Sequence, residues 1–256
     1  MPCLFCEEDF DEAAGRKRTR EHVYGDWMRP HLEDVIGPGT HTRTKSTFED
    51  LEADKRTYRG FPAQQTVQGV CEVCNNGWLS DVQAAARPTL LPLFTKPRRR
   101  VVGVEAQRAL VTWAYRAALL VGVKAGDAAI PKSDLHDFFR TREPPVTSEV
   151  VMVLSAHRGY TYLDHRLIRV QEAGQPRPAA PNGSATLVCV GHAGFYVVRW
   201  DDVKPQTGLN RLYGSYRRSV ATIRPSDIPV LWPPQVALDH HRLDSLANVI
   251  GAWESR

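Results

Sequence analysis

Between Glu105 and Val123 the residues Ala106, Ala109, Leu110, Trp113, Ala117, Leu120 and Val121 return every three or four positions, with Arg108 and Arg116 on the other side. That spacing is the 3.6-residue turn of an amphipathic helix, so the pattern predicts a long helix here. Trp78, Leu79, Val82, Ala85 and Ala86 repeat with the same period, which places Asn75 and Asn76 on the first turn of a helix whose far end Pro88 and Pro92 leave open. A shorter helix is expected from Pro131-Lys132-Ser133-Asp134 to about Arg140, where Glu143-Pro144-Pro145 breaks the chain. Thr66 to Val70 alternates apolar with polar, as a half-buried strand does.

Beyond residue 145 the period shortens. Val150 to Leu154, Tyr160 to Leu163, Leu167 to Val170, Ala185 to Val190 and Phe195 to Trp200 are short β-branched and aromatic runs, separated by Gly, Pro and Asn. Gln175 to Gly183 carries three prolines and reads as a loop, Ile228 to Pro234 as an extended segment, and Asp244 to Gly251 as a last short helix. Leu32 to Gly60, with Gly37-Pro38-Gly39 and a polar run, reads as a long surface insertion. The expected fold class is therefore α+β, with a first domain over 1–95 and a helical connector leading into a β-rich α+β domain over 96–256. No repeat is visible.

Length and composition agree with two modest domains: 256 residues at 42% hydrophobic content bury a real core. A formal charge of +4 permits a nucleic-acid partner without requiring one. There is no basic segment leading into an apolar leader, and no run reaches the ~18 apolar residues that span a bilayer, so a cytoplasmic protein without a membrane partner is expected.

The cysteines change the picture most. Cys3 and Cys6 form one C-x-x-C pair and Cys71 and Cys74 a second. Two intervening residues let both sulfurs of a turn face one ion, so four thiolates are expected to hold a structural zinc that ties together the ends of the first domain. Cys189, inside the apolar run 186–190, is expected as a buried thiol.

Glu21-His22 lies between the two pairs, and Asn75-Asn76-Gly77-Trp78 follows the second. An imidazole, with an unperturbed pKa of ~6.5, can take a proton from water at neutral pH. A carboxylate and an amide oxygen suit magnesium or manganese, which would neutralise charge building on a phosphate.

At these residues, C-L-F-C, then E-H-V-Y-G-D-W, then V-C-E-V-C-N-N-G-W, the chain resembles the HNH endonucleases, the zinc-supported branch of the ββα-metal nuclease superfamily. The resemblance covers about the first third and continues more weakly into the Trp113 helix and Leu231-Trp232-Pro233-Pro234. It implies that Glu21 is a metal ligand, His22 the general base, and Asn75, with Asn76 as the second candidate, the helix-borne ligand of Mg2+ or Mn2+. It implies hydrolysis of DNA phosphodiester bonds, with RNA as another substrate. Gly25 departs from the proline common after the motif histidine, and Gln83 stands where Glu is expected. The rival expectations are a catalytically silent zinc module binding nucleic acid or protein, and an HNH-scaffold enzyme acting on a small molecule. The second domain could read a modified base, bind a partner or small ligand, or form a homodimer.

Other polar positions carry blander expectations. His31 and His41 are expected to face solvent, Asp26 to start a helix or turn, and the adjacent His240 and His241 to point apart. Arg16-Lys17-Arg18 with Arg20, and Arg98-Arg99-Arg100, are basic clusters that can hold a phosphate backbone without reading its sequence.

Overall fold

A computed structural model describes residues 2–32, 39–46, 54–60, 65–126, 130–156, 161–171, 174–176, 178–223 and 228–250, with the backbone alone for residue 32 and the stretches 39–46 and 54–60. In chain order its elements are β1 (Arg18–His22), α1 (Arg29–Leu32), β2 (Gly39–Ser46), β3 (Asp54–Gly60), β4 (Thr66–Cys71), α2 (Glu72–Cys74), α3 (Ser80–Thr95), β5 (Arg100–Val102) and α4 (Val104–Ala125). There follow α5 (Lys132–Thr141), β6 (Ser148–Leu154), β7 (Thr161–Ile168), β8 (Gly183–Val190), β9 (Ala193–Trp200), α6 (Gln206–Ser215), β10 (Val220–Thr222), β11 (Val230–Trp232) and α7 (His240–Ala247). The class is mixed α+β, as the sequence pattern suggests.

Seven strands form one sheet in the order β10-β6-β9-β8-β7-β2-β3, antiparallel except where β2 runs parallel to β7. Strands β6, β8 and β9 are apolar on both faces because both faces are covered. Val150, Met152, Val188, Phe195 and Val197 pack toward α4, while Val151, Val153, Leu187, Tyr196 and Val198 pack toward α6 and α7. Their runs therefore lack the apolar-polar alternation of a sheet with one wet face. Residues 161–163 and 167–168, from two runs expected as separate strands, belong to the single strand β7, while residue 160 lies outside the described residues.

The stretch expected as a surface insertion contributes structure instead. Its described parts, β2 and β3, pair with each other and extend the edge of the sheet beside β7. A segment whose side chains are mainly polar can still join a sheet, because the ladder is made by backbone amides and carbonyls. Packing and hydrogen bonding also run across residue 95: β5 pairs with β11, and one continuous core joins Cys3, Cys71 and Leu79 to Trp113 and Phe195.

One helix end that the pattern leaves open is fixed by the structure, and one helix face differs from expectation. Helix α3 runs through Pro88 and Pro92 to Thr95. Helix α4 is buried nearly all round, and Arg116, expected on a polar side, is fully enclosed. The run Val111 to Val121 is apolar apart from Thr112 and Arg116, and a helix apolar on every side lies inside the protein. The signal for a buried arginine was therefore present in the sequence. No helix among the described residues is long and apolar enough to cross a membrane.

Candidate metal centre and active site

The antiparallel pair β1-β4 brings the two C-x-x-C turns together, since Arg18 stands opposite Cys71 and the Leu4 amide donates to the Gly69 carbonyl. Gly69 adopts φ +101°, and Leu4 packs against the face where a side chain would stand. It bulges β4 just before the second knuckle. The ligand atoms of Cys3, Cys6, Cys71 and Cys74 all lie within 4.8 Å of one another, and Cys6 Sγ is 3.8 Å from Cys71 Sγ. The edge of a tetrahedron of sulfurs with Zn–S of ~2.3 Å is also about 3.8 Å.

Backbone amides support the sulfurs. The Cys71 N–H donates to Cys3 Sγ at 3.3 Å and the Cys74 N–H to Cys71 Sγ at 3.4 Å. Hydrogen bonding from the Cys74 thiol, helped by backbone amides, brings Cys3 down to about 4. Burial pushes Cys6 up to about 11, and the bond to Cys3 pushes Cys74 up further. A divalent cation resolves this conflict by stabilising all four thiolates together. The four cysteines can thus hold a metal such as zinc, and they are the one group of three or more His, Cys, Asp or Glu side chains placed to do so among the described residues. Trp78 packs the knuckle against α5, edge-on to Phe5 at 5.1 Å and to Phe138 at 5.5 Å, with the Arg142 guanidinium 4.2 Å from its ring centre.

Beside this centre, β1 turns alternate side chains to opposite faces. Arg18 and Arg20 are exposed and His22 half-buried on one face, while Glu21 is buried on the other. Glu21 forms an ion pair with Arg116 of α4, and its Oε1 also accepts from Gln83 Nε2 at 3.0 Å. The Arg116 guanidinium donates further to the carbonyls of His22 and Val23. Burial lowers Arg116 to about 9, which leaves it charged at neutral pH. Gln83 Oε1 in turn accepts from Trp27 Nε1 at 3.1 Å. A polar chain, Trp27–Gln83–Glu21–Arg116, buried at its Glu21–Arg116 end, therefore grips the backbone carbonyls of His22 and Val23 through Arg116.

The Glu21 carboxylate thus faces Arg116, and the carboxylate beside the His22 ring is Asp26, with Oδ1 3.8 Å from His22 Nε2 and mostly exposed. Asp26 begins a short 3-10 turn, Asp26–Met28. Asn75 lies on the turn after the second knuckle, and its amide nitrogen donates to Thr19 Oγ1 at 3.0 Å and to the Arg20 carbonyl at 3.2 Å, bracing the helix against β1. Asn76 is exposed and donates to Glu72. His31 is half-buried, and the side chain of His41 lies outside the described residues. His240 and His241 stack at 3.8 Å instead of pointing apart. Cys189 is buried, and burial raises its thiol. Gln83 and Arg116 are the site residues that sequence reasoning missed.

Gly25 explains a departure noted in the motif. Its φ of +86° favours glycine, and a Cβ there would stand 2.1 Å from Gln83 Oε1 and 2.8 Å from Trp27 Nε1. Gly25→Ala should destabilise the chain by about 1–3 kcal/mol, the usual cost of a strained backbone position. Urea denaturation would measure it, and an unchanged midpoint would show that the loop re-forms around the methyl.

Comparison with known protein families, with curated proteins and with solved structures yields no match to this chain.

Proposed function

We propose that this protein is a metal-dependent endonuclease of the HNH type, hydrolysing DNA phosphodiester bonds with His22 as general base. The observation that carries this reading is the exposed face of β1, which sets His22 in line with Arg18 and Arg20. Two guanidinium groups beside an accessible imidazole suit a phosphate whose attacking water must lose a proton. The pairing of β1 with β4, followed by a helical segment that Asn75 braces against β1, supports this reading, with β2 and β3 intervening in the chain.

In this reading Glu21 acts as the anchor of Arg116, and Asp26 is the carboxylate available to a divalent ion. Magnesium needs only one or two carboxylates when water and substrate phosphate complete its shell, so Asp26 with the substrate meets the requirement. When bound, Mg2+ or Mn2+ would neutralise charge on the phosphate and on the departing 3' oxygen. The protein's own contribution is to orient the imidazole, through the Arg116 clamp on the His22 carbonyl, and to accept the proton of the attacking water.

A plasmid-nicking assay with magnesium, manganese or chelator tests this directly. His22→Ala should fold normally and cut ~10²–10⁴-fold more slowly, the usual loss on removing a positioned base. Asp26→Asn should raise the metal concentration required and be partly rescued by excess ion. Cleavage undiminished in His22→Ala would overturn the proposal.

One observation favours a second reading. Glu21 is held by a buried arginine and Gln83, as it would be in a zinc-supported binding module without catalysis. Duplex binding with no nicking under any metal would select that reading.

A further inference from the structure

The fold brings a basic dipeptide from late in the chain beside the Arg98–Arg100 cluster. In the β5-β11 ribbon, Arg100 stands opposite Trp232. Arg99 precedes that pair and Pro233 follows it, so both lie at the same end of the ribbon. Pro233, Pro234 and Leu231 form one wall of an open groove of about 560 Å³, and Arg217, Arg218 and Ala221 form the other. The groove is braced across its floor: the Val236 N–H donates to the Arg218 carbonyl at 2.8 Å, and Arg218 Nε donates to Gln235 Oε1 at 3.2 Å.

The charge here is unbalanced. Arg16, Arg108, Arg116 and Arg166 each pair with a carboxylate. Arg98, Arg99, Arg100, Arg217 and Arg218 have no carboxylate partner among the described residues, and no described groove-lining residue is acidic. Exposed Leu231 lies opposite exposed Val101, so the guanidinium groups border an apolar strip. Unpaired guanidinium groups around a concave surface fit a polyanion, since their planar donors match phosphate oxygens.

The neighbouring Arg98–Arg100 segment is linked to His22 through packed side chains. Phe94, near the end of α3, packs on Trp27 with ring centres 6.2 Å apart, and Trp27 lies five residues beyond His22. Four residues separate Phe94 from Arg98, a chain reach of at most about 14 Å. Through these links the path from His22 to Arg98 is at most about 38 Å, on the order of one ~34 Å turn of duplex.

We propose that this groove is a second nucleic-acid contact, in which Arg217 and Arg218, together with the Arg98–Arg100 segment, hold the phosphate backbone of a duplex whose scissile bond lies at His22. The inference rests on the nuclease reading for the position of the scissile bond. The groove supplies grip and orientation, and the chemistry stays at β1.

Fluorescence anisotropy of a labelled duplex, titrated at several salt concentrations, tests it in the full chain. Arg217→Gln/Arg218→Gln should weaken binding alike across sequences and reduce the slope of log affinity against log salt by about 0.9 for each phosphate no longer neutralised. Nicking at saturating duplex should be unchanged. Leu231→Glu, at an exposed position, should weaken binding by placing a carboxylate in the groove, and it serves if the arginine variant folds poorly. Wild-type binding with unaltered affinity and slope in both variants would overturn this inference and leave the nuclease reading standing. A wild-type chain that neither binds nor nicks duplex would overturn both. Variants that keep duplex binding but lose an acidic peptide probe would assign the groove to an acidic protein instead.

Discussion

Cys71→Ser should lose bound zinc, from one ion per chain to none, and with it the cooperative thermal transition of the protein. The four ligand sulfurs lie within 4.8 Å of one another, and three of the four cysteines are buried. A structural zinc site typically contributes ~10–16 kcal/mol of apparent binding energy, all of it available to folding because the unfolded chain has no preformed site. That is comparable to the whole ~5–15 kcal/mol net stability of most domains. The loss should also spread well beyond the hairpin, since Cys3, Cys71 and Cys74 belong to the same continuous core as Trp113 and Phe195. Metal analysis together with near-ultraviolet circular dichroism would read both effects. A Cys71→Ser chain that retains its zinc and its melting temperature would refute the assignment of ligands.

Arg116→Met should destabilise the protein by about 3–5 kcal/mol, because it leaves Glu21 as a buried carboxylate without its counter-charge. Glu21→Leu should be costly as well, by leaving the guanidinium enclosed and unneutralised. Replacing both, as Arg116→Met with Glu21→Leu, should recover part of the loss, since an apolar pair of similar volume often equals a buried ion pair. Recovery should stay incomplete: the carbonyls of His22 and Val23 still lose their donor, at ~1–3 kcal/mol for each buried acceptor left unpaired. Urea denaturation of the four proteins completes a double-mutant cycle. Strictly additive losses would show that the two side chains do not act as a pair.

Much of the chain was legible because its signals are local. The 3.6-residue period of 105–123, the apolar runs that became β6, β8 and β9, and the paired cysteine spacing each depend on neighbouring residues, so they survive into the structure with small changes at their ends. The strand β1 is not legible in the pattern, and its alternation, which sends Arg18, Arg20 and His22 to one face and Glu21 to the other, came only with the structure. A C-x-x-C turn points its sulfurs one way whatever the rest of the chain does, so the metal centre needed only the second knuckle to arrive.

Partners chosen from distant sequence were another matter. Glu21 and Arg116 are 95 residues apart, and β2 and β7 more than 100, so no periodicity links them. What decides them is competition for burial: once α4 is covered on all sides, Arg116 must find an anion and carbonyls inside, and Glu21, His22 and Val23 are what the β1 face presents to it. The sequence by itself determined the two cysteine turns, the central helix and the strand runs, because those follow from residue type and spacing. Only the tertiary structure decided that Glu21 faces an arginine, that Arg116 holds the His22 carbonyl while Gln83 holds the Glu21 carboxylate, and that Arg217 and Arg218 stand near Arg98 to Arg100, because each follows from which surfaces exclude water together.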